Sequence, residues 1–181
     1  MKKSFMKFGI LTLALFAICS AFAGCGAGAK DRKFEYEDEG FSITLTGDFT
    51  ESSYINFKHV YISNNCAVYV TRETFETLDT VYEDSENMTK EQYANIVIQN
   101  NDVLATVSHD EEYDFVCFNY TKKVNGDWFY YFAVIDKGPD AFWMCQFACM
   151  NDAKEKLIQK MKKWASTISV NTNEDKILVD D

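Results

Sequence analysis

Apolar and polar residues alternate through much of the chain with the two-residue period of β-strands. Residues 40–45, GFSITL, place Phe, Ile and Leu on one face, which predicts a half-buried strand. Residues 58–63 and 66–75 are rich in β-branched and aromatic residues and predict two further strands, joined by a turn at residues 63–65. Residues 103–110 are a fourth candidate, so this part of the chain favours a β-sheet.

Three longer apolar runs in the second half predict an antiparallel meander in which each run pairs with the next. They span residues 113–122, 128–137 and 140–149. Asn125-Gly126 is a strong hairpin signal, because both residues tolerate the positive φ of a type I′ turn, and Gly138-Pro139 predicts the second turn. The last two runs are apolar on both faces, so we expect a sheet that is covered on both sides.

The period changes to that of an α-helix in two segments. Thr89 and Gln92 form a capping-box pattern at the start of a predicted helix of about residues 90–100. The second helix, in NDAKEKLIQKMKKWASTISV, is predicted to begin at a cap on Asn151 or Asp152 and carries one apolar stripe. Together the elements predict one α+β domain, an antiparallel sheet of about six or seven strands flanked by helices.

Two short motifs give this domain a family resemblance. The strand and turn GFSITLTGDF (residues 40–49) and the helix end WASTI (residues 164–168), in this order of elements, resemble the PsbP-like superfamily over most of residues 34–170. That superfamily includes accessory proteins of the photosynthetic oxygen-evolving complex and many bacterial relatives, some of them lipoproteins. The resemblance implies a PsbP-like α/β/α sandwich. It also implies a binding or assembly role, because most members are non-catalytic and dock to partners.

The N-terminus has the pattern of an export signal that ends in a lipidation site. Three lysines precede an apolar segment that extends to about Ala23 and is short of the ~20 apolar residues that a membrane span needs. The tetrapeptide FAGC (residues 22–25) resembles the lipobox of bacterial lipoproteins, in which the Cys receives a diacylglyceryl group and becomes the new N-terminus. We therefore expect lipidation at Cys25 and a stable membrane anchor. An ordinary signal cut after Ala23 and an uncleaved span are the alternatives.

These signals divide the chain into four parts. They are a lipoprotein signal peptide at residues 1–24, the lipidated Cys25 with a flexible tether at 25–33, the globular domain at 34–170 and a C-terminal tail at 171–181, with a short candidate strand at 177–179. Removal of the signal takes away three lysines and no acid, which leaves 15 Lys and Arg against 28 Asp and Glu, a net charge of −13. Such an acidic domain lacks the basic footprint of nucleic-acid binding and does not favour contact with an anionic bilayer. We expect it to stand off the extracytoplasmic face of the membrane.

Four cysteines remain after Cys19 of the signal and Cys25 of the anchor: Cys66, Cys117, Cys145 and Cys149. In one strand, Cys145 and Cys149 lie ~13 Å apart, which exceeds the ~7 Å limit for Cα atoms in a disulfide. Two-residue turns in the meander place Cys117 opposite Val134 and Cys145 opposite Phe132, two strands and at least ~9.6 Å apart. A disulfide therefore remains open only for Cys66, with Cys117, Cys145 or Cys149. Buried free thiols are the alternative.

The sequence contains no recognisable motif for catalysis or metal binding. It has no GxSxG elbow and no CxxC pair, and neither His59 nor His109 lies in a known motif. The acidic segments at residues 35–39, 82–86 and 109–114 lack EF-hand spacing and are expected to be solvated. We therefore predict no catalytic residue, no metal site and no cofactor.

The sequence thus favours a membrane-anchored extracytoplasmic lipoprotein that acts as a non-catalytic binding or assembly module at the cell envelope, with a protein partner that it does not identify. The alternatives are a receptor for a small ligand or a metal, and an envelope enzyme that uses Cys or His chemistry. An enzyme requires a cleft with a perturbed titratable pair. A receptor requires a pocket with convergent polar groups, and a docking module requires an exposed apolar patch.

Overall fold

The computed structural model describes residues 30–171, which form two antiparallel sheets and three α-helices. The strands are β1 (Arg32–Tyr36), β2 (Phe41–Leu45), β3 (Thr50–Ser52), β4 (His59–Ile62), β5 (Ala67–Thr74), β6 (Ser108–Asp110), β7 (Phe115–Val124), β8 (Asp127–Lys137), β9 (Ala141–Met150) and β10 (Ser169–Val170). The helices are α1 (Phe75–Asp79), α2 (Lys90–Asn100) and α3 (Lys154–Ala165). The predicted signal, Cys25 and the candidate strand at 177–179 lie outside the described residues. Within residues 30–171 no helix is both long and apolar enough to cross a membrane.

The large sheet has seven strands in the order β3-β4-β5-β9-β8-β7-β6, and the small sheet has three in the order β1-β2-β10. The predicted meander is confirmed, because β7 pairs with β8 and β8 pairs with β9, both antiparallel. Asn125 and Gly126 form the first turn with φ values of 53° and 101°, which is the geometry that favours these two residue types. Local turn chemistry therefore sets the register of β7 against β8.

The second turn of the meander lies one residue later than predicted. Its central residues are Pro139 and Asp140, and the Gly138 N–H donates to the Ala141 carbonyl oxygen at 2.9 Å. Proline favours the first central position of a turn, because its ring fixes φ near −65°. The shift moves the register of β9 by two residues, so the predicted placement of Cys145 opposite Phe132 is wrong.

In the observed register Val134 lies opposite both Cys117 on β7 and Cys145 on β9. Cys117 and Cys145 are therefore two strands apart, as predicted, although the prediction placed Cys145 opposite Phe132 rather than Val134.

Both faces of the large sheet are covered, as the apolar runs predict. Helices α1 and α2 cover one face and bury Leu78, Tyr93 and Val97 against it. Helix α3 and the small sheet cover the other face, where Phe41 and Ile43 of β2 join the core. The result is an α+β sandwich with one apolar core on each side of the large sheet.

Three boundaries differ from those that the sequence predicts. Strand β1 begins at Arg32 and pairs with β2 over five residue pairs, so the last two residues of the predicted tether belong to the small sheet. Residues 103–107 are outside β6, because Val103, Ala105 and Val107 pack on the core without a strand partner. Helix α3 follows a 3₁₀ turn at Asn151–Ala153, and its N-cap residue is Ala153 without a side-chain cap. The predicted cap at residues 151 or 152 is therefore wrong.

Helix α3 is attached to the sheet by an apolar stripe. Leu157, Met161, Trp164 and Ala165 are buried in the core, and the Trp164 ring meets Phe49 edge to face with ring centroids 5.1 Å apart. Met161 is fully buried, whereas its neighbour Lys160 is exposed. The burial of this stripe, rather than helix propensity alone, holds α3 in place.

We predict that Met161→Ala lowers the free energy of unfolding by about 2–5 kcal/mol, because it leaves a cavity under α3. Urea unfolding followed by circular dichroism provides the measurement. The matched variant Lys160→Ala should change stability by less than about 0.5 kcal/mol. Equal losses in both variants would contradict the packing of α3 described above.

Candidate binding cleft

A cleft of about 390 Å³ opens where the small sheet meets one end of the large sheet. Five segments of the chain line it: the β1–β2 turn, the residue before β4, the middle of β5, the β8–β9 turn with the start of β9, and the residue after β10. The lining residues are Glu37, Asp38, Glu39, Gly40, Lys58, Arg72, Pro139, Asp140, Trp143 and Asn171. We call this the cleft, and most of its lining is polar or charged.

Strand pairing brings these distant residues together. Arg72 on β5 lies directly opposite Trp143 on β9 in the antiparallel register. At the other wall, the Asn171 N–H donates to the Gly40 carbonyl oxygen at 2.8 Å and ties the end of β10 to the β1–β2 turn. Gly40 has φ of 65°, and a Cβ atom there would approach the Asn171 side chain to 2.7 Å. This turn therefore requires glycine.

The two basic side chains of the cleft are each paired with an acid. The Lys58 Nζ lies 2.8 Å from the Glu39 carboxylate, and the Arg72 guanidinium binds Asp140 and sits 5.6 Å above the Trp143 ring. Glu37 and Asp38 are exposed and take part in no salt bridge within the described part of the chain. The cleft therefore has a surplus of negative charge at its β1–β2 rim.

An aromatic stack stands behind the β1–β2 turn and includes His59. The His59 ring stacks on Tyr36 with centroids 3.8 Å apart and on Phe41 at 5.6 Å. Phe41 in turn stacks on Trp143 at 4.9 Å. His59 Nε2 lies 2.9 Å from a Glu39 carboxylate oxygen, and the residue is only 7% exposed. The stack thus connects the buried side of Glu39 to the aromatic floor of the cleft.

Burial and hydrogen bonding together determine the protonation states of His59 and Glu39. Burial disfavours the charged imidazolium and lowers the pKa of His59 below its ordinary value, although Glu39 acts in the opposite direction. Burial alone would raise the pKa of Glu39, but hydrogen bonds from Lys58 and His59 outweigh it and hold that pKa below its usual value. At neutral pH, a neutral His59 therefore donates its Nε2–H to an ionised Glu39.

A second hydrogen-bonded chain continues from the stack toward β3. The Tyr61 hydroxyl donates to the Tyr36 hydroxyl at 3.1 Å, and the Tyr36 hydroxyl donates to the Glu51 carboxylate. Burial, with the hydrogen bond to Glu51 adding to it, raises the pKa of Tyr36 to about 12. Tyr36 is thus a hydrogen-bond donor at neutral pH, and it fixes the orientation of the stack.

The other predicted candidates lie away from the cleft or inside the core. The four domain cysteines are buried and are not bonded to one another in this structure, and burial raises the pKa of each thiol: Cys66, Cys117, Cys145 and Cys149. His109 is on β6, an edge strand of the large sheet, and its Nε2 lies 3.1 Å from the exposed Asp114. Among residues 30–171 there is no group of three or more His, Cys, Asp or Glu side chains arranged to hold a metal ion.

Only part of the cleft was recognisable from sequence. The acidic segment at residues 35–39, expected to be solvated, contributes Glu37 and Asp38 to the rim, but Glu39 is half-buried in the pair with His59. Lys58, Arg72 and Trp143 carry no local signal, because strand pairing alone brings them together. The partner of His59 is Glu39, 20 positions earlier in the chain, and no local sequence pattern indicates this pair.

We predict that His59 makes the folded state less stable as the pH falls below about 6.5. The unfolded chain binds a proton on this residue at the ordinary pKa, whereas the folded protein does so only at lower pH. The Tm of the wild type should therefore fall between about pH 7.5 and pH 5.5, and that of His59→Gln should fall less. The exposed His109→Gln serves as the control and should follow the wild type. A pH dependence that is the same in all three proteins would contradict the burial of a neutral His59.

Comparison with known proteins identifies the architecture. No protein-family model and no curated protein sequence matches the chain. The solution structure of cyanobacterial PsbP (CyanoP) from Synechocystis sp. PCC 6803 is similar to it with a TM-score of 0.54 and 10% identity, over 82% of this chain and 98% of that one. A crystal structure from Bacteroides thetaiotaomicron VPI-5482 is similar with a TM-score of 0.54 and 13% identity, over 78% of this chain and 49% of that one.

This chain therefore spans about half the length of the Bacteroides protein. At such low identities the likeness concerns the fold alone, and the fold of residues 30–171 is PsbP-like.

Proposed function

We propose that the chain is an extracytoplasmic lipoprotein, anchored through Cys25, that acts as a non-catalytic binding module, and that the cleft binds a basic segment of a protein partner at the cell envelope. The observation that carries the proposal is the charge arrangement of the cleft. Its two cations are already paired, while Glu37 and Asp38 remain exposed at the rim. A Lys or Arg side chain of a partner is the chemistry that fits such a rim.

Three further features support this proposal. The N-terminal pattern of an export signal followed by FAGC favours lipidation at Cys25. The net charge of −13 expected after removal of the signal attracts basic partners over a distance. The large exposed apolar side chains within residues 30–171 are few and belong to four different segments of the chain: Tyr54 and Ile55, Val81, Leu104, and Trp128. Singly exposed apolar side chains of this kind are normal, so the charged cleft is the stronger candidate for a contact surface.

The burial of the cysteines favours binding over Cys–His catalysis. A nucleophilic thiol needs a lowered pKa and access to substrate, whereas burial raises the pKa of Cys145 and of Cys149, and both are 1% exposed. His59, the histidine nearest the cleft, is held between Tyr36 and Phe41 and is bonded to Glu39. These groups are arranged for rigidity, which suits a binding surface.

A receptor for a small ligand is a second candidate, favoured by the volume of the cleft. About 390 Å³ lies within the ~300–1,000 Å³ typical of small-molecule sites, and polar groups converge on it. The acidic rim would suit a compact amine. Small amines that raise the Tm of the wild type, but not that of a variant with a neutralised rim, would favour this candidate over a protein partner.

We predict that the wild type, expressed in a bacterial host, partitions into detergent in a Triton X-114 separation and that Cys25→Ala partitions into the aqueous phase. Two acyl chains bind a membrane stably, whereas the acidic charge of the domain does not favour contact with an anionic bilayer. Immunoblots of both phases provide the measurement. Equal partitioning of the two proteins would rule out anchoring at Cys25.

We predict that Glu37→Gln/Asp38→Asn reduces capture of the partner by roughly three- to tenfold, because two charged contacts are lost. The measurement is crosslinking in the native membrane, followed by purification of the lipidated protein and quantitative mass spectrometry of the captured proteins. Capture should also weaken at high salt, since exposed charge pairs are screened.

The matched control is Glu111→Gln/Glu112→Gln, which neutralises another exposed acidic pair in the β6–β7 turn, away from the cleft. This control should capture the same partner as the wild type. A partner that both double variants capture equally well docks elsewhere, and the assignment of the cleft would then be wrong.

A further inference from the structure

Two of the four buried thiols lie at one end of the β5–β9 ladder. The ladder ends where Ala67 lies opposite Ala148, and continuing its antiparallel register by one residue brings Cys66 opposite Cys149. Both belong to the same core cluster, and they are 0% and 1% exposed. They are therefore neighbours, although they are separated by most of the domain in sequence.

The backbone around each thiol holds this juxtaposition. The Ser63 N–H donates to the Cys66 carbonyl oxygen at 2.9 Å and closes the β4–β5 turn directly before Cys66. The Cys66 thiol donates to the Ala67 carbonyl oxygen at 3.6 Å, and it lies toward β9, since it also makes a hydrogen bond with the Ala148 backbone. Cys149 is held from the other side by its pairing with Tyr130 of β8.

We propose that Cys66 and Cys149 form a cross-strand disulfide in the extracytoplasmic protein. Directly opposed residues of an antiparallel pair have Cα atoms ~4.5–5.5 Å apart, which lies within the ~4.4–6.8 Å that a disulfide spans. The same register excludes the other partners left open by the sequence. Cys145 lies opposite Val70, four residues away along β9, and Cys117 is on β7, two strands beyond β9.

The reaction is thiol–disulfide exchange during folding, before the sheet closes over the sulfurs. The donor is a low-molecular-weight disulfide or an oxidised thiol oxidoreductase of the envelope. One Cys thiolate attacks the donor disulfide and releases a donor thiolate, and the other Cys thiolate then attacks the mixed disulfide and releases the second. Two protein thiols lose two protons and two electrons, and the donor gains them as two thiols. This inference rests on the proposed extracytoplasmic location, because such compartments allow disulfides to persist.

The bond would connect the β4–β5 turn to the end of β9, next to α3. It would constrain the unfolded chain by closing a loop from residue 66 to residue 149, and stabilisation by this mechanism grows with the length of the loop. Because the bond would lie inside the core, reductants would reach it only after unfolding.

The test has two arms that separate this inference from the proposed location. In the first, the full chain with Cys19→Ala and Cys25→Ala is reduced in denaturant and refolded in a glutathione redox buffer. In the second, wild-type protein is isolated from the cell envelope with its free thiols blocked by N-ethylmaleimide at lysis. Non-reducing tryptic maps should contain the peptide of residues 59–72 linked to that of residues 138–154. Fragmentation between Phe147 and Ala148 identifies the second cysteine as Cys149 or Cys145.

We expect the Cys66–Cys149 link in both arms and a Tm for the oxidised protein roughly 10 °C above that of the reduced protein. Cys117→Ala and Cys145→Ala, also in the buried core, should keep the link and the Tm difference. Cys66→Ala and Cys149→Ala should lose both, with circular dichroism used to verify that each variant folds. A different pairing, or four free thiols after the glutathione arm, would overturn the disulfide. A link in the glutathione arm with free thiols in the envelope arm would retain the pairing and overturn the extracytoplasmic location.

Discussion

The pairing of β5 with β9 is the contact on which the rest of the structure depends. Within the described chain, β3–β4–β5 and β6–β7–β8–β9 are each built from successive antiparallel neighbours, and β5 and β9 are the strands that join the two groups. Eight residue pairs, from Ala67 with Ala148 to Thr74 with Ala141, set their register. Closing so long a loop costs conformational entropy, and the burial of apolar side chains on both faces of the joined sheet compensates for it.

The cleft depends on the same register. Arg72 and Trp143 are cross-strand partners in this ladder, so the cation above the indole ring and its ion pair with Asp140 exist only when β5 and β9 align as observed. A slip of one residue would turn Arg72 toward the other face of the sheet. The floor and one wall of the cleft are therefore consequences of core packing, whereas its acidic rim comes from a turn that Gly40 allows.

The sequence predicts features that depend on neighbouring residues, such as turns. It does not predict features that depend on the pairing of strands distant in sequence. Asn125-Gly126 requires positive φ at adjacent positions, which identifies that hairpin without other information. At the second hairpin Gly138 and Pro139 are both typical turn residues, so the sequence does not show which of them occupies the first central position. The fixed φ of proline places Pro139 there, and this sets the register of β9. The cysteine that lies opposite Cys66 depends on the register of β5 against β9. The sequence alone therefore leaves three cysteines as disulfide partners for Cys66. The charge pattern of residues 35–39 likewise did not reveal that His59 would bind Glu39.

The length of chain between the proposed anchor and the cleft limits how far from the membrane a partner can bind. Twelve residue steps separate Cys25 from Glu37, and a fully extended chain spans at most ~3.6 Å per residue, so the Cα atom of Glu37 lies within roughly 43 Å of the Cα atom of Cys25. Strand β1, which begins at Arg32, uses part of this length inside the domain. If the cleft and the anchor act as proposed, the partner presents its basic segment close to the membrane. An integral membrane protein or another lipid-anchored protein meets this condition more readily than a freely diffusing one, because its segment is held at a matching height and a raised local concentration.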